Sequence, residues 1–488
     1  MLRPIFIHCK PTVQHDLRYD SLMMVNASVA YLNSIAKALL GYPGISIDET
    51  YVSENAEGRE RELLLNHLRG LITAYLSAGD EPIVFCTLLS YNAGPALQLL
   101  HDLKQEFTDR VRTGVGGQLV RVCPTAYLTN PDIDHVGVGD AEVILSSLLL
   151  GKQRFAQGYK RVTPHDHYAE PLYENYLSLD RRLDEMSRYR LGPFSGVRQL
   201  VTESVRGCAW ASAYKVCRFC SLQGVDTWPV FRALKDHFRI EQHLAEHYGL
   251  NWIFDTSNQW LPTVNTIEIC QWLRDYVKQR QVAEVSPINR YVYLTSNSVN
   301  HRTAPLLREA GVRIAYVGID GWDKLTRAAL HKAQVDCMKM LRACADNDIF
   351  VRTSMVIGSG LTTQNLKELP QFEEQMLNEF GGKVILSLGN FLEILLPGSA
   401  DWEEFEREAH QQNIEEAIKT FSFFRSHGYL SLDQEDRLNE LRIKHTQRDV
   451  SLEEVLLARD KAVETVKRSL ALSVTIRESE QLERPARA

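Results

Sequence analysis

Three of the nine cysteines in this 488-residue sequence fall within thirteen positions: Cys208, then eight residues, then the run Cys217–Arg218–Phe219–Cys220. Thiolates are soft donors, and a grouping of this kind can hold metal. Three of them can occupy three irons of a cubane 4Fe-4S cluster and leave the fourth iron open to a small bidentate ligand. A structural zinc ion would want four protein ligands, and the nearest plausible fourth is His237, seventeen residues past Cys220. Three inert buried thiols are the remaining reading. The other six cysteines, Cys9, Cys86, Cys123, Cys270, Cys337 and Cys344, stand singly in apolar stretches, where buried free thiols are common. With an odd total so scattered, no disulfide framework is expected.

The cysteine run directly follows a β-type segment, Leu200–Glu203, the first of six. The others are Asn251–Asp255, Tyr291–Ser296, Ile314–Ile319, Phe350–Ile357 and Val384–Leu388, each separated from the next by a helical-period stretch. Six such units suggest a partial or complete parallel barrel, a partial (β/α)6 barrel being the expected form, whose chemistry sits at the carboxyl ends of its strands. Several of those ends carry polar groups: Asp255–Thr256–Ser257, Ser296–Asn297 and Gly318–Ile319–Asp320–Gly321. Singly, each is as well read as a helix cap or turn former, and Phe219 as plain packing. Caps alone, however, need not coincide with a cysteine triad.

Upstream, strand-like and helix-like segments alternate almost strictly from Pro4 to Leu150, which implies an α/β, doubly wound, Rossmann-like parallel sheet. Ligands would bind beyond its carboxyl ends, at the loops Lys10–His15, Leu88–Gly94, Gly116–Leu119 and Gly139–Glu142. The expected organisation is this domain over 1–155, a linker over 156–196, the barrel over 197–400 and a helical region over 401–488, with helices at Trp402–Arg425 and Leu452–Leu472. Length alone allows two or three domains.

Composition narrows the partners. A hydrophobic fraction of 44% and a charged fraction of 24% are ordinary for globular chains. The net charge of −7, with no long basic run, argues against a nucleic-acid partner. No apolar stretch approaches the roughly 20 residues of a membrane span. Met1–Lys10 reads as a strand rather than a leader, so a cytoplasmic location is expected.

A Cys followed by Cys-x-aromatic-Cys on the first loop of a βα partial barrel resembles the radical S-adenosylmethionine superfamily, although the spacer between the first two cysteines is longer here than in most members. The resemblance implies that Cys208, Cys217 and Cys220 ligate a 4Fe-4S cluster with Phe219 beside it. It implies that Asp255 and Thr256 receive the amino group of S-adenosylmethionine, with Ser296 and Asn297 at the next strand end, and that Asp320 receives the ribose. Arg352 would pair with the carboxylate, and Ile357 and Gly358 would lie at the adenine. Leu396–Ser399 resembles a Pro-Gly-Thr turn after the sixth strand.

The resemblance extends upstream, through Thr113–Gln118 and Asn130–Glu142, to the branch with a cobalamin-binding-type domain before the barrel. Leu88, Leu89, Ser90, Gly116, Gly117, Gln118 and Gly139 are then the residues expected to meet cobalamin. The D-x-H-x-x-G motif that supplies a lower axial histidine in many cobalamin proteins is absent. The family chemistry is reductive cleavage of S-adenosylmethionine to a 5′-deoxyadenosyl radical that attacks an unactivated carbon. Cobalamin-dependent methylation of a peptide or natural-product precursor is the implied outcome, and the electron donor a flavodoxin- or ferredoxin-type reductase. Rearrangement, epimerisation or coupling with a degenerate first domain, and a zinc-stabilised binding protein without catalysis, remain the alternatives.

Overall fold

A computed structural model describes residues 1–10, 27–50, 59–90, 92–159, 170–177, 179–188, 190–191, 194–222, 229–322, 324–332, 335–357, 362–380, 384–392, 395–446, 450–458 and 460–461. The chain forms two compact units. One comprises Met1–Val162, His167–Asp180 and Glu403–Leu438, the other Thr163–Asp166, Arg181–Trp402 and Asn439–Ala488. The helices after residue 400 are therefore shared between the two.

The first unit is built on a parallel sheet of β1 (Leu2–Lys10), β2 (Ile45–Thr50), β3 (Glu81–Thr87), β4 (Arg112–Gly116), β5 (His135–Gly139) and β6 (Phe155–Gly158). Their order is β2-β1-β3-β4-β5-β6, and all neighbours run parallel. Ile5, Phe6 and Ile7 are each fully buried, as expected of a central parallel strand covered on both faces. Winding reverses between β1 and β3, and that crevice is where open α/β sheets bind ligands. The alternation visible in the sequence ends at Leu150 and does not include β6, whose four residues contribute only one buried side chain; the last helix before it spans Ala141–Leu149. The alternation also leaves out two short helices, Gln118–Val122 and Pro124–Thr129. The single helix expected over Trp402–Arg425 is two, Ala400–Gln411 and Glu415–His427, broken at Asn413 with φ 55°. Most of the expected helix Leu452–Leu472 lies outside the described residues.

The second unit carries β7 (Gln199–Thr202), β8 (Trp252–Asp255), β9 (Asn289–Thr295), β10 (Val312–Asp320), β11 (Phe350–Ile357) and β12 (Ile385–Leu392). Each pairs in parallel with its sequence neighbour, and β7 and β12 form the two edges. Of the partial and complete barrels that the alternation allows, this is the open six-stranded partial one. Alternate residues such as Val292, Leu294, Ala315, Val317 and Val351 join the apolar core beneath the helices. The opposite face is aromatic. Phe254, Tyr291, Tyr293 and Tyr316 follow one another with ring centroids 4.5 to 6.3 Å apart. Helix caps fix the crossovers: Asn265 accepts from the amides of Ile267 and Glu268, and Asp336 from that of Lys339.

Candidate functional site

The loop after β7 is braced before it reaches its first cysteine. Val205–Arg206 pairs antiparallel with Val230–Phe231. The fully buried Asp255 carboxylate accepts from the hydroxyls of Ser204 and Ser257, and Ser257 Oγ accepts from the amides of Ser204 at 3.1 Å and Val205 at 2.8 Å. Gly207, with φ 92°, then turns the chain into Cys208.

The eight-residue spacer folds as a short helix, Ala209–Ala213, started at Cys208. The Trp210 indole donates to the carbonyl of His331 at 3.1 Å, and His331 Nδ1 lies 3.3 Å from the carbonyl of Val216. In the final turn the Cys220 amide donates to the carbonyl of Cys217 at 2.9 Å. Arg218 between them is held by Asp401, with Nε to Oδ1 at 2.7 Å, and Leu222 donates its amide to Cys220 Sγ at 3.4 Å. The longer spacer is thus taken up by one pinned helical turn.

All six scattered cysteines are buried, whereas Cys208, Cys217 and Cys220 are only half-buried. Burial pushes the Cys217 thiol up to about 11, with Lys332 pulling the other way and Cys220, Asp320 and Cys208 adding to the rise. A buried thiol of this kind ionises readily only when a metal supplies positive charge. Among the described residues no three His, Cys, Asp or Glu side chains converge as ligands of one metal ion. A cubane takes each thiolate at a different corner, so its ligands stand further apart than those around a single ion. The zinc reading also loses its fourth ligand: His237 Nε2 is 2.8 Å from Glu241 Oε1, in a buried cluster with Arg290 and Tyr276.

At the strand ends the expected cofactor residues differ in condition. The oxygens of Asp255 are engaged by the chain's own serines, and Thr256 donates its amide to the carbonyl of Thr202 at 2.8 Å. Ser296 and Asn297 lie on a single turn of 3-10 helix just past β9. Ser296 Oγ accepts from Arg327 at 2.7 Å. Asn297 Oδ1 is buried with no hydrogen-bond partner, an acceptor that a hydroxyl or ammonium donor would satisfy. Asp320 adopts φ 60° at a break in register with β11, and its carboxylate folds back over Gly318, where a Cβ would stand 2.7 Å from Oδ2. Lys332 Nζ is 2.7 Å from that same oxygen and 5.2 Å from the centre of the Phe219 ring. Burial opposes the charge on Lys332, yet Asp320 and the neighbouring thiols hold its ammonium protonated well above the usual lysine range. Arg352 is on the aromatic face, 5.9 Å from the Tyr291 ring centre. Ile357 ends β11; its side chain and Gly358 lie outside the described residues. In the Leu396–Ser399 turn, Ser399 Oγ accepts from the Trp402 amide as a helix cap.

Lys332, Arg327, Arg218 and Asp401 were not foreseen. Each lies where no strand or helix periodicity singles out a lone charge, and only Asp401, just past the Pro-Gly-Ser turn, had a local signal.

In the first unit, Leu88 is fully buried, Leu89 and Ser90 half-buried, and Gly117, Gln118 and Gly139 exposed, along the edge formed by the ends of β3, β4 and β5. Gly117 has φ 108°, and a Cβ there would meet the backbone of Leu88 at 2.7 Å. Gly139, at φ 113°, is closed off in the same way by the carbonyl of Gly158. Both glycines are therefore required by the fold itself. Gly116 differs: its Cβ would meet only the Gly137 carbonyl, at 3.7 Å. Lys10 ends β1, and the rest of the loop expected over Lys10–His15 lies outside the described residues.

No family model matches the chain, and a search of curated proteins finds no match. Solved structures do. The cobalamin-dependent S-adenosylmethionine radical enzyme OxsB, with aqua-cobalamin bound, aligns with a TM-score of 0.61 at 12% identity, over 96% of this chain and 80% of its own. The radical S-adenosylmethionine methyltransferase TsrM from Kitasatospora setae, with cobalamin and a [4Fe-4S] cluster bound, aligns at 0.53 and 15%, over 82% and 77%. A second TsrM structure, with tryptophan substrate and an S-adenosylmethionine analogue, aligns at 0.55 and 16%. The chain has the fold of these enzymes, an α/β cobalamin-binding-type domain joined to a radical S-adenosylmethionine-type partial barrel, with helices at the C-terminus.

Proposed function

We propose that the protein is a radical S-adenosylmethionine enzyme carrying a cobalamin-binding domain, and that it modifies an unactivated carbon of a peptide or natural-product precursor, with methylation as the outcome. The carrying observation is that three half-buried thiols stand on the first strand-end loop of an open parallel barrel, with the Lys332 ammonium 5.2 Å from the Phe219 ring of that loop. The fold of OxsB and TsrM supports the same reading.

Cys208, Cys217 and Cys220 would hold the cluster, and S-adenosylmethionine would bind beside it at the strand ends. Bound together, these groups supply the one-electron cleavage that generates a carbon-centred radical, and cobalamin supplies the methyl group. The rest falls to the chain. Asn297 Oδ1 and the Asp320 carboxylate accept from the donor groups of S-adenosylmethionine, and Arg352 pairs with its carboxylate. Ser296, held by Arg327, and Thr256, held by Thr202, fix the neighbouring backbone. The wall of Phe254, Tyr291, Tyr293 and Tyr316 keeps water from the reacting carbon. Leu89, Ser90, Gly116 and Gln118 offer an edge for cobalamin in the first unit. A flavodoxin- or ferredoxin-type reductase fits as electron donor. No helix among the described residues is long and apolar enough to cross a membrane.

Anaerobic reconstitution with iron and sulfide tests the reading. The expected product is a brown protein with visible charge-transfer absorbance and about four irons per chain, which retains hydroxocobalamin through desalting and cleaves S-adenosylmethionine under dithionite. A colourless protein holding one zinc ion would overturn it.

A further inference from the structure

Lys332 is not accounted for by binding S-adenosylmethionine. Its side chain is 20% exposed, and its ammonium sits 2.7 Å from the Asp320 carboxylate and faces Phe219, one of the two residues between the last two cysteines. The backbone holds it there. The Lys332 amide donates to the carbonyl of Arg327 at 2.8 Å, and His331, at φ 57°, meets the spacer through its carbonyl, at Trp210, and its ring, at Val216. While paired with Asp320, Nζ is 5.2 Å from the centre of the Phe219 ring, so the ammonium stands at the cysteine loop.

We propose that Lys332 is a positioning charge that raises the reduction potential of the cluster held by Cys208, Cys217 and Cys220, and that Asp320 sets how much of that charge the cluster feels. The inference rests on the cluster reading above. When the cluster takes one electron from a low-potential one-electron donor, its net charge becomes more negative by one. No bond forms or breaks. A fixed ammonium at the cysteine loop stabilises the reduced form more than the oxidised one, because cluster potential follows local charge and hydrogen bonding. The partly closed site keeps that interaction from being screened as it would be in water.

Opposite shifts are expected from the two partners. In reconstituted full-length protein, redox titration followed by electron paramagnetic resonance should give Lys332→Gln a more negative midpoint than wild type and a several-fold smaller reduced fraction under a fixed dithionite dose. Asp320→Asn should move the midpoint the other way, and Lys332→Arg should restore it. Iron content is read in every sample. If Lys332→Gln fails to retain iron, Asp320→Asn decides: a rise supports the inference, and an unchanged or lower midpoint overturns it. Full iron with identical midpoints in wild type and Lys332→Gln also overturns it. Wild-type protein that holds no iron-sulfur cluster defeats the cluster reading instead.

Discussion

The two ends of the second unit's barrel both bury charge, in opposite conditions. At the amino end, Arg290 is fully buried, grips Glu241 with two nitrogens, donates to the carbonyl of Ala310 and lies against the rings of Trp260 and Tyr276. Burial by itself would push the Glu241 carboxyl up, but Arg290 and His237 outweigh it and hold it at about 2. The Glu241 carboxylate is thus met by cations of the chain itself, although Arg280 Nη1 nearby is buried without a hydrogen-bond partner. At the carboxyl end, Asn297 Oδ1 has no partner, Asp320 holds a left-handed conformation that few side chains adopt, and Lys332 lies over the Phe219 ring of the cysteine loop. The carboxylate at the amino end is neutralised within the chain, whereas the carboxyl end holds an amide acceptor, Asn297 Oδ1, that the chain leaves open. Barrels of this class place stability at the amino end and chemistry at the carboxyl end, and the division is visible here in hydrogen bonds.

The largest break in that contrast is at the cysteines. Cys208→Ala, Cys217→Ala and Cys220→Ala should each remove nearly all iron after reconstitution, since a cubane on two protein thiolates is poorly held. Cys344→Ala, in the apolar core, should keep its iron and lose about 1 kcal/mol of stability. Full iron in Cys208→Ala would mean that the long spacer lies outside the site.

The amino end should answer in stability alone. Arg290→Met strands the Glu241 carboxylate and should cost about 3–5 kcal/mol in urea unfolding. The sign with pH is fixed by the depressed Glu241 value. Its stabilisation is complete above the ordinary glutamate value and is lost as pH falls toward about 2, so wild type should weaken steeply between about pH 5 and 2. Arg290→Met should show little of that slope. Parallel acid profiles for the two proteins would break the assignment.

Two acidic or amide positions at the carboxyl end sharpen the comparison further. Asp255 is saturated by Ser204 and Ser257, so Asp255→Asn should cost about 1–3 kcal/mol of stability by loosening the run into Cys208. Asn297 Oδ1 serves nothing in the chain, so Asn297→Ala should leave the melting temperature nearly unchanged and weaken S-adenosylmethionine binding by about 1–3 kcal/mol in calorimetry. The reverse pattern would exchange their roles.

How much of this was legible in the sequence follows from the reach of each signal. The strands and the strand-end motifs stood out because period and turn chemistry are local. The triad stood out because three thiols in thirteen residues have few explanations. Whether Asp255 or Asn297 has oxygen to spare depends on residues such as Ser204, about fifty positions away, and no local pattern reports that. Lys332 and Asp401 meet the cysteine loop from 112 and 183 residues away, counted from Cys220 to Lys332 and from Arg218 to Asp401, and lone charges carry no period. The short spacer helix was hidden for the same reason, since its pins are His331 and Gln259. Edge strand β6 was too short and too polar to register.

The first unit repeats the contrast in its glycines, and there the smallest effect on the fold gives the most informative probe. Gly117 combines φ 108° with a backbone contact that leaves no room for a Cβ, so Gly117→Val should destabilise by about 1–3 kcal/mol or more whether or not any ligand binds. Loss of cobalamin in that variant would report damage to the β4 loop. Gly116 ends the same strand in an ordinary conformation, with its nearest obstacle at 3.7 Å. Gly116→Val should therefore stay within about 0.5 kcal/mol of wild type, because a β-branched side chain suits a strand end that has space for it. If cobalamin lies over the ends of β3 and β4, that valine intrudes on it, and retention after desalting should fall while iron content and melting temperature hold. Undiminished retention in a stable Gly116→Val protein would take the corrin off this loop and leave the domain's edge to another ligand.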